Sequence, residues 1–296
     1  MRVLVTGATG MLGAEIVERF HAAGVEVYGA ARLPASEEHA NRVAMDITQP
    51  DAVREVFDAL RPEVVIHCAA MTHVDACERQ PQQAYRVNTF GAEVVASNCQ
   101  RFNAACVYIS TDYVFDGQKR APYHEYDVEN PISVYGRSKY MGEQAVRALC
   151  PRHYIVRVAW LYGKYRKSFP QFVLEQARAG VSPTVISDQV GSPTYTVDVA
   201  DRLLAMIQTD CYGVYHLTNQ SPVSRYAFAR ALLETVGSVI EPTPLPFAQW
   251  RTPALRPIYS ALTSWRLEWA GVEPMPLWQD AMQRFVQEYL HTQSHP

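Results

Sequence analysis

Lysine is scarce in this chain. Of 27 basic residues only four are lysines (Lys119, Lys139, Lys164 and Lys167), so generic positive charge is carried by arginine and a lysine inside a motif is informative. Basic charge as a whole is also short. Set against 30 Asp and Glu it leaves a formal net charge of -3, which excludes the basic surplus that nucleic acid or an anionic membrane surface would need. The six cysteines (Cys68, Cys77, Cys99, Cys106, Cys150 and Cys211) form no CxxC pair and show no metal-type spacing. They read as small core residues in a reducing compartment. The nine histidines lack ligand spacing as well, so no metal is expected, and His67, inside an apolar run, reads as a core histidine. No apolar run approaches the ~20 residues of a membrane helix. The N-terminus enters the strand-like RVLVTG without a charged leader, so the expected address is the cytoplasm.

What the chain does have is length and apolar content, 296 residues of which 48% are hydrophobic, enough for one large domain or two modest ones acting on a small molecule. Short β-branched runs at 2–7, 25–31, 43–47, 63–70, 106–112 and 153–163 alternate with helical patterns near 11–23, 50–60, 81–102 and 133–149. That alternation predicts parallel βαβ units. Runs apolar on both faces, such as VVIHCAA, suit strands covered by helices above and below.

After Gly163 the pattern loosens: a helix near 168–179, a loop-like stretch over 181–196, a helix near 197–208, a strand at 213–219, and helices near 224–236 and 278–290. Between the last two lies a stretch with five prolines over 241–257, which reads either as a surface connector or as a rigid loop lining a cleft. The predicted fold class is therefore α/β, a Rossmann-type doubly wound parallel sheet with a smaller, interleaved C-terminal substrate-binding domain. Residues 1–163, with 190–220 contributing, are expected to form the nucleotide-binding body, and 164–189 with 221–296 the cap.

Directly after the first strand stands Gly7-Ala8-Thr9-Gly10-Met11-Leu12-Gly13, opening a helix. Glycines at this spacing permit a tight turn, let the backbone approach a pyrophosphate and let helix and strand pack closely. The helix N-terminus then presents free N–H groups to phosphate. At the end of the second strand, where a carboxylate would bind the ribose 2′-hydroxyl of NAD, the chain has Gly29-Ala30-Ala31-Arg32. Arg32 can pair with a 2′-phosphate, so NADPH is favoured and NADH is the alternative. Asp46 is placed to contact the adenine side or to cap the following turn.

Tyr135-Gly136-Arg137-Ser138-Lys139 places a phenol and an ammonium four residues apart on one helix face. A tyrosine with an ordinary pKa of about 10 is a poor acid at neutral pH, and a nearby cation is expected to bring it toward the working range. The fifth strand ends in Thr111, at the sheet edge where ligands of such folds bind. Thr111, Tyr135 and Lys139 form the candidate catalytic triad. The acidic HEYDVEN (124–130) reads as a solvated loop.

These motifs resemble the extended short-chain dehydrogenases/reductases, and within them the dTDP-4-dehydrorhamnose reductases. The resemblance runs nearly the whole length, through GATGMLG (7–13), PEVVIHCAAMTHVDACE (62–78), YISTDYVFDG (108–117), YGRSKYMGE (135–143), DQVGSPTYTVDVA (188–200) and RPIYSAL (256–262). It implies NADPH-dependent reduction of the C4 keto group of a nucleotide-linked 4-dehydro-6-deoxyhexose. On the family pattern Tyr135 is the proton donor, Lys139 holds the nicotinamide ribose and Thr111 orients the carbonyl. Gly7, Gly10, Met11, Leu12 and Gly13 contact the pyrophosphate, Ala69 and Ala70 flank the adenosine and ribose, and Asn88 organises the site. Thr72, Tyr113 and Trp160 surround the sugar and Arg256 clamps the substrate diphosphate.

Related 4,6-dehydratases follow the catalytic threonine with Asp-Glu. Here Asp112 is followed by Tyr113, which argues against elimination. The chain departs from the family where Ser264-Trp265-Arg266-Leu267 replaces a Ser-Lys-Leu segment. Two other readings stay open, a non-catalytic regulatory subunit similar to methionine adenosyltransferase beta and a nucleotide-sugar 4-epimerase. Relatives imply a homodimer through the helices at 81–102 and 133–149.

Overall fold

The computed structural model describes residues 1–32 and 41–294. In chain order its main elements are β1 (Arg2–Thr6), α1 (Met11–Ala22), β2 (Glu26–Ala31), β3 (Arg42–Ala44), α2 (Pro50–Leu60), β4 (Val64–His67), α3 (Gly91–Arg101), β5 (Ala105–Thr111), α4 (Val134–Leu149), β6 (His153–Val158), α5 (Phe169–Arg178), α6 (Thr196–Met206), β7 (Gly213–His216), α7 (Arg225–Thr235) and α8 (Trp278–Ser294). The seven strands form one sheet in the order β7-β6-β5-β4-β1-β2-β3, every pair parallel. The order reverses between β1 and β4, which is where a doubly wound sheet opens a crevice for ligand.

Alternate residues of each strand feed two apolar layers. Val3, Val5, Ile66, Val107 and Val156 face Ile16 and Phe20 of α1 and Val199 and Leu203 of α6. Leu4, Val65, Cys106, Tyr108 and Ile155 face Phe57 of α2, Val95 of α3 and Val146 of α4. Each fully buried large side chain contributes about 1.5–3 kcal/mol, so covering both faces is what makes these strands apolar throughout. A third cluster lies apart from the sheet, where Tyr162, Val173, Tyr195, Phe228, Leu232, Trp278 and Phe285 bring α5, α7 and α8 together.

Several elements differ from the sequence reading for local reasons. The third strand stops at Ala44 because the Asp46 carboxylate accepts from both the backbone N–H and the hydroxyl of Thr48, 2.8 Å each, and turns the chain. The run at 153–163 breaks at Trp160, whose φ of 43° is left-handed, and resumes as Leu161–Tyr162, paired with Thr194–Tyr195. The helix expected over 81–102 is interrupted by a π-helical turn at Arg86–Phe90, and a short helix at Val74–Arg79 precedes it. The stretch 181–196 is not a loop throughout, since Thr184–Ile186 pairs with Thr243–Leu245 of the proline-rich segment. Proline suits that position because an edge strand needs only half its N–H groups. The solvated-loop expectation for 124–130 fails at its glutamates: Glu125 is buried and accepts from the Ser264 hydroxyl and the Trp265 N–H, and Glu129 is half-buried and paired with Arg157.

All six cysteines are free thiols. Cys77, Cys99, Cys106 and Cys150 are buried as expected, Cys68 is half-buried and Cys211 is exposed. Burial pushes the Cys68 thiol up to about 12 and that of Cys77 to about 11, so neither is nucleophilic at neutral pH. Among the described residues no helix is long and apolar enough to cross a membrane.

The helix that carries the Tyr/Lys pair, α4, is seated by close approach. The Ser133 side chain accepts from the Gly136 N–H to cap it, and Gly142 lets it settle against β5 and the π turn. A Cβ at Gly142 would fall 2.2 Å from the Tyr108 hydroxyl and 2.5 Å from the Asn88 carbonyl. Replacing Gly142 with Ala is expected to destabilise the fold by about 1–3 kcal/mol, measured by denaturant unfolding, with an unchanged midpoint contradicting the packing argument.

Candidate functional site

A cleft of about 970 Å³ runs along the C-terminal ends of β1, β4, β5 and β6. Of the residues expected there, Gly7, Gly10, Met11, Leu12 and Gly13 line it at the N-terminus of α1. Arg32 and Asp46 line the end beyond β2, and Ala69, Ala70 and Thr72 the turn after β4. Thr111, Tyr113, Tyr135, Lys139 and Trp160 gather at the opposite end. Asp46 is spent on Thr48, as a turn cap, yet still faces the cleft.

The glycine turn is built as a cradle. Gly7 takes φ +66°, and a Cβ on Gly13 would fall 2.3 Å from the Gly7 carbonyl. Only bare backbone allows α1 to start this close to β1. The Ala69 N–H donates to Thr6 Oγ1 (3.2 Å), which in turn contacts His67 Nδ1 at 2.7 Å. His67 is buried and desolvation holds it neutral, lowering it to about 3, in keeping with the expected core role. The residues present thus fit a dinucleotide: a phosphate-sized backbone cradle at α1 and a floor of small side chains after β4.

At the chemical end Lys139 is 2% exposed and donates to the Ile109 carbonyl at 2.7 Å. Its Nζ lies 4.0 Å from the centroid of the Tyr108 ring. Burial lowers this ammonium to about 7, with Glu143 opposing the shift. Tyr135 behaves differently from the sequence expectation. Burial raises its pKa well above the usual phenol value, and the hydrogen bond with Thr111 only partly offsets this. Desolvation of a phenol in a cleft wall is the main cause, and Asp112 and Tyr113 add to it. Tyr113 stands edge-on to Tyr135, centroids 5.6 Å apart at 72°.

The Thr111 hydroxyl donates to Asp112 (3.1 Å), and the other oxygen of that carboxylate accepts from Ser260 at 2.5 Å. Burial brings Asp112 up to about 6. The segment just after the prolines therefore returns to the catalytic strand, while no residue of 241–257 itself lines the cleft. Asn88 is an organiser in geometric terms. From the π turn its side chain accepts from the Met71 N–H (2.7 Å) and donates to the Met71 carbonyl and Ser138 Oγ, joining α4 to the turn after β4.

Arg256 does not line the cleft. Its guanidinium is held in a two-point pair by Asp75 (3.0 and 2.8 Å) and hydrogen-bonds Tyr113, which does line it. Arg266, in the segment that departs from the family, donates to the Tyr212 carbonyl and is equally remote. Sequence reasoning missed Arg225, whose guanidinium stacks 4.0 Å over Trp160 and faces Asp112 and Tyr113. It also missed Arg166 and Lys167, both on the cleft wall. Lysine scarcity was the available signal for the last.

Behind the site lies a buried ionic network. Fully buried Arg157 donates to both oxygens of Glu143 (3.0 and 2.7 Å) and pairs with Glu129, and Ser110 donates to Glu143 at 2.6 Å. Removing one partner would leave uncompensated charge in the interior, so Arg157→Met is expected to cost about 3–5 kcal/mol. Urea unfolding checks this, and a loss under 1 kcal/mol would contradict it.

The family described as RmlD substrate binding domain matches residues 1–291. The spore coat polysaccharide biosynthesis protein SpsK of Bacillus subtilis (strain 168) is 35% identical, covering 97% of each chain. The dTDP-4-dehydrorhamnose reductase of Aggregatibacter actinomycetemcomitans is 36% identical over 95% of this chain and 97% of its own. Among solved structures, dTDP-4-dehydrorhamnose reductase from Bacillus anthracis str. Ames in complex with NADP is similar at a TM-score of 0.91 and 36% identity, covering 97% of this chain and 99% of that one. With motifs, sheet order and site geometry in agreement, the chain belongs to the RmlD family, that of the dTDP-4-dehydrorhamnose reductases within the extended short-chain dehydrogenases/reductases.

Proposed function

We propose that this protein reduces the C4 keto group of a nucleotide-linked 4-dehydro-6-deoxyhexose, converting dTDP-4-dehydro-L-rhamnose to dTDP-L-rhamnose with NADPH, or less favourably NADH, as reductant. One observation carries the reading: a glycine cradle and the Thr111, Tyr135 and Lys139 side chains share a single cleft. When bound, the nicotinamide supplies a hydride to C4. Tyr135 then gives its hydroxyl proton to the C4 oxygen. A phenol held above its ordinary pKa is fully protonated at neutral pH, and an alkoxide is still the stronger base, so the transfer runs downhill. Thr111 turns its hydroxyl from Asp112 to the sugar carbonyl. Lys139, fixed by the Ile109 carbonyl, holds a ribose hydroxyl and places positive charge near the phenolate that remains.

In the same proposal Gly7, Gly10, Met11, Leu12 and Gly13 take the cofactor pyrophosphate, Ala69 and Ala70 its adenosine and ribose, Asp46 the adenine side and Arg32 the 2′-phosphate. Thr72, Tyr113 and Trp160 surround the sugar. The Trp160 indole N–H is buried without an acceptor among the described residues, which leaves a donor for a sugar oxygen. Arg256 meets the substrate diphosphate only once its fork, held by Asp75 outside the cleft, is released. Residues 1–163 with 190–220 act as the nucleotide-binding body, and 164–189 with 221–296 as the cap, supported by an apolar cluster that joins α5, α7 and α8 and takes in Tyr162 and Tyr195 of the body. The protein is assigned to the cytoplasm. A homodimer through α3 and α4 is supported by exposed Phe90 and Met141 beside them.

Purified protein is expected to consume NADPH when given dTDP-4-dehydro-L-rhamnose, and Tyr135→Phe to lower kcat by about 10²–10⁴-fold with cofactor affinity unchanged. Full activity in that variant would overturn the assigned proton donor.

A further inference from the structure

Two of the four lysines and an arginine fall within the six residues Gly163-Lys164-Tyr165-Arg166-Lys167-Ser168, just beyond the cleft-lining turn at Trp160. Their surroundings differ. Lys164 is engaged by Glu18 at 2.7 Å and Glu288 at 3.6 Å, fastening the segment to α1 and α8. Lys167 pairs with Glu175, nearly two turns into α5. Arg166 has no carboxylate in an ion pair among the described residues. Instead its Nε and Nη2 both donate to one neutral acceptor, the Thr9 carbonyl, at 3.1 and 2.8 Å. Arg166 and Lys167 are exposed and line the cleft beside the glycine turn.

A guanidinium fork on a single carbonyl leaves most of its capacity unused, since its geometry matches two oxygens of a phosphate. We propose that Arg166, with Lys167 beside it, is a strap over the cofactor diphosphate, exchanging the Thr9 carbonyl for phosphate oxygens when the dinucleotide binds. This rests on the dinucleotide reading given above. The Lys164 ion pairs anchor the base of the strap, so only the Arg166 side chain has to move. Position selects the diphosphate and not the 2′-phosphate. Thr9 adjoins Gly10, the N-cap of α1, where a pyrophosphate sits in this fold, whereas Arg32 occupies the end of β2 where the adenosine ribose is read.

The test is equilibrium binding of NADPH and of NADH, by calorimetry at low and at moderate salt, to the wild-type chain, Arg166→Ala and Arg166→Lys. Arg166→Ala is expected to weaken both nucleotides by the same factor, about tenfold, with a shallower salt dependence than wild type, and Arg166→Lys to recover part of the loss. Binding of both nucleotides within twofold of wild type would overturn the strap. So would a loss confined to NADPH, which would put Arg166 on the 2′-phosphate. A wild-type chain that binds neither nucleotide would instead remove the dinucleotide reading itself.

Discussion

The interaction on which the site depends is the burial of the Lys139 ammonium with no carboxylate paired to it among the described residues. It rests on the Ile109 carbonyl and the face of Tyr108. A desolvated cation over an aromatic face gains about 2 kcal/mol, far less than hydration gave it, so its position requires an accurately seated helix. Gly142 lets α4 approach, the Tyr108 hydroxyl reaches the Asn88 carbonyl at 3.1 Å, and Asn88 ties the π turn to Met71 and Ser138. The π turn is thus the local distortion that brings an amide side chain between two layers that a regular helix would hold apart.

The nearest acid, Glu143, stands one turn along α4 and could have neutralised Lys139. It is occupied by Arg157 and Ser110. That division of labour leaves arginine, with its planar and permanent charge, in the structural pair, and lysine, compact and able to titrate, at the chemical end. Beside the cleft Arg225 is held by Gln189 and the face of Trp160 and Arg256 by Asp75, whereas Arg166, on the cleft wall, has only the neutral Thr9 carbonyl.

The doubly wound parallel sheet and the cleft position were legible in the sequence because both follow from continuous apolar runs alternating with helical patterns and from glycines, which act locally. The Tyr135/Lys139 spacing was legible because helical geometry alone places the pair. What escaped was set by tertiary context. The sign of the Tyr135 shift is set by burial, with the charges of Asp112 and Tyr113 adding to it, which no spacing encodes. Glu125 and Glu129 looked like solvated acids because their neighbours, buried Arg157 and His216 and half-buried Ser264, are distant in sequence. The short strands between 184 and 195 are too brief to carry a periodicity, and the partner of the first lies about 60 residues later.

The claim that Lys139 is a buried, easily discharged cation has a direct measurement, made simple by a chain with four lysines. In protein labelled with ¹³C-lysine, the Cε resonance lost in Lys139→Met is followed against pH. The expected midpoint lies near 7, set by desolvation of the ammonium. A midpoint that stays at the ordinary lysine value of about 10.4 would contradict it.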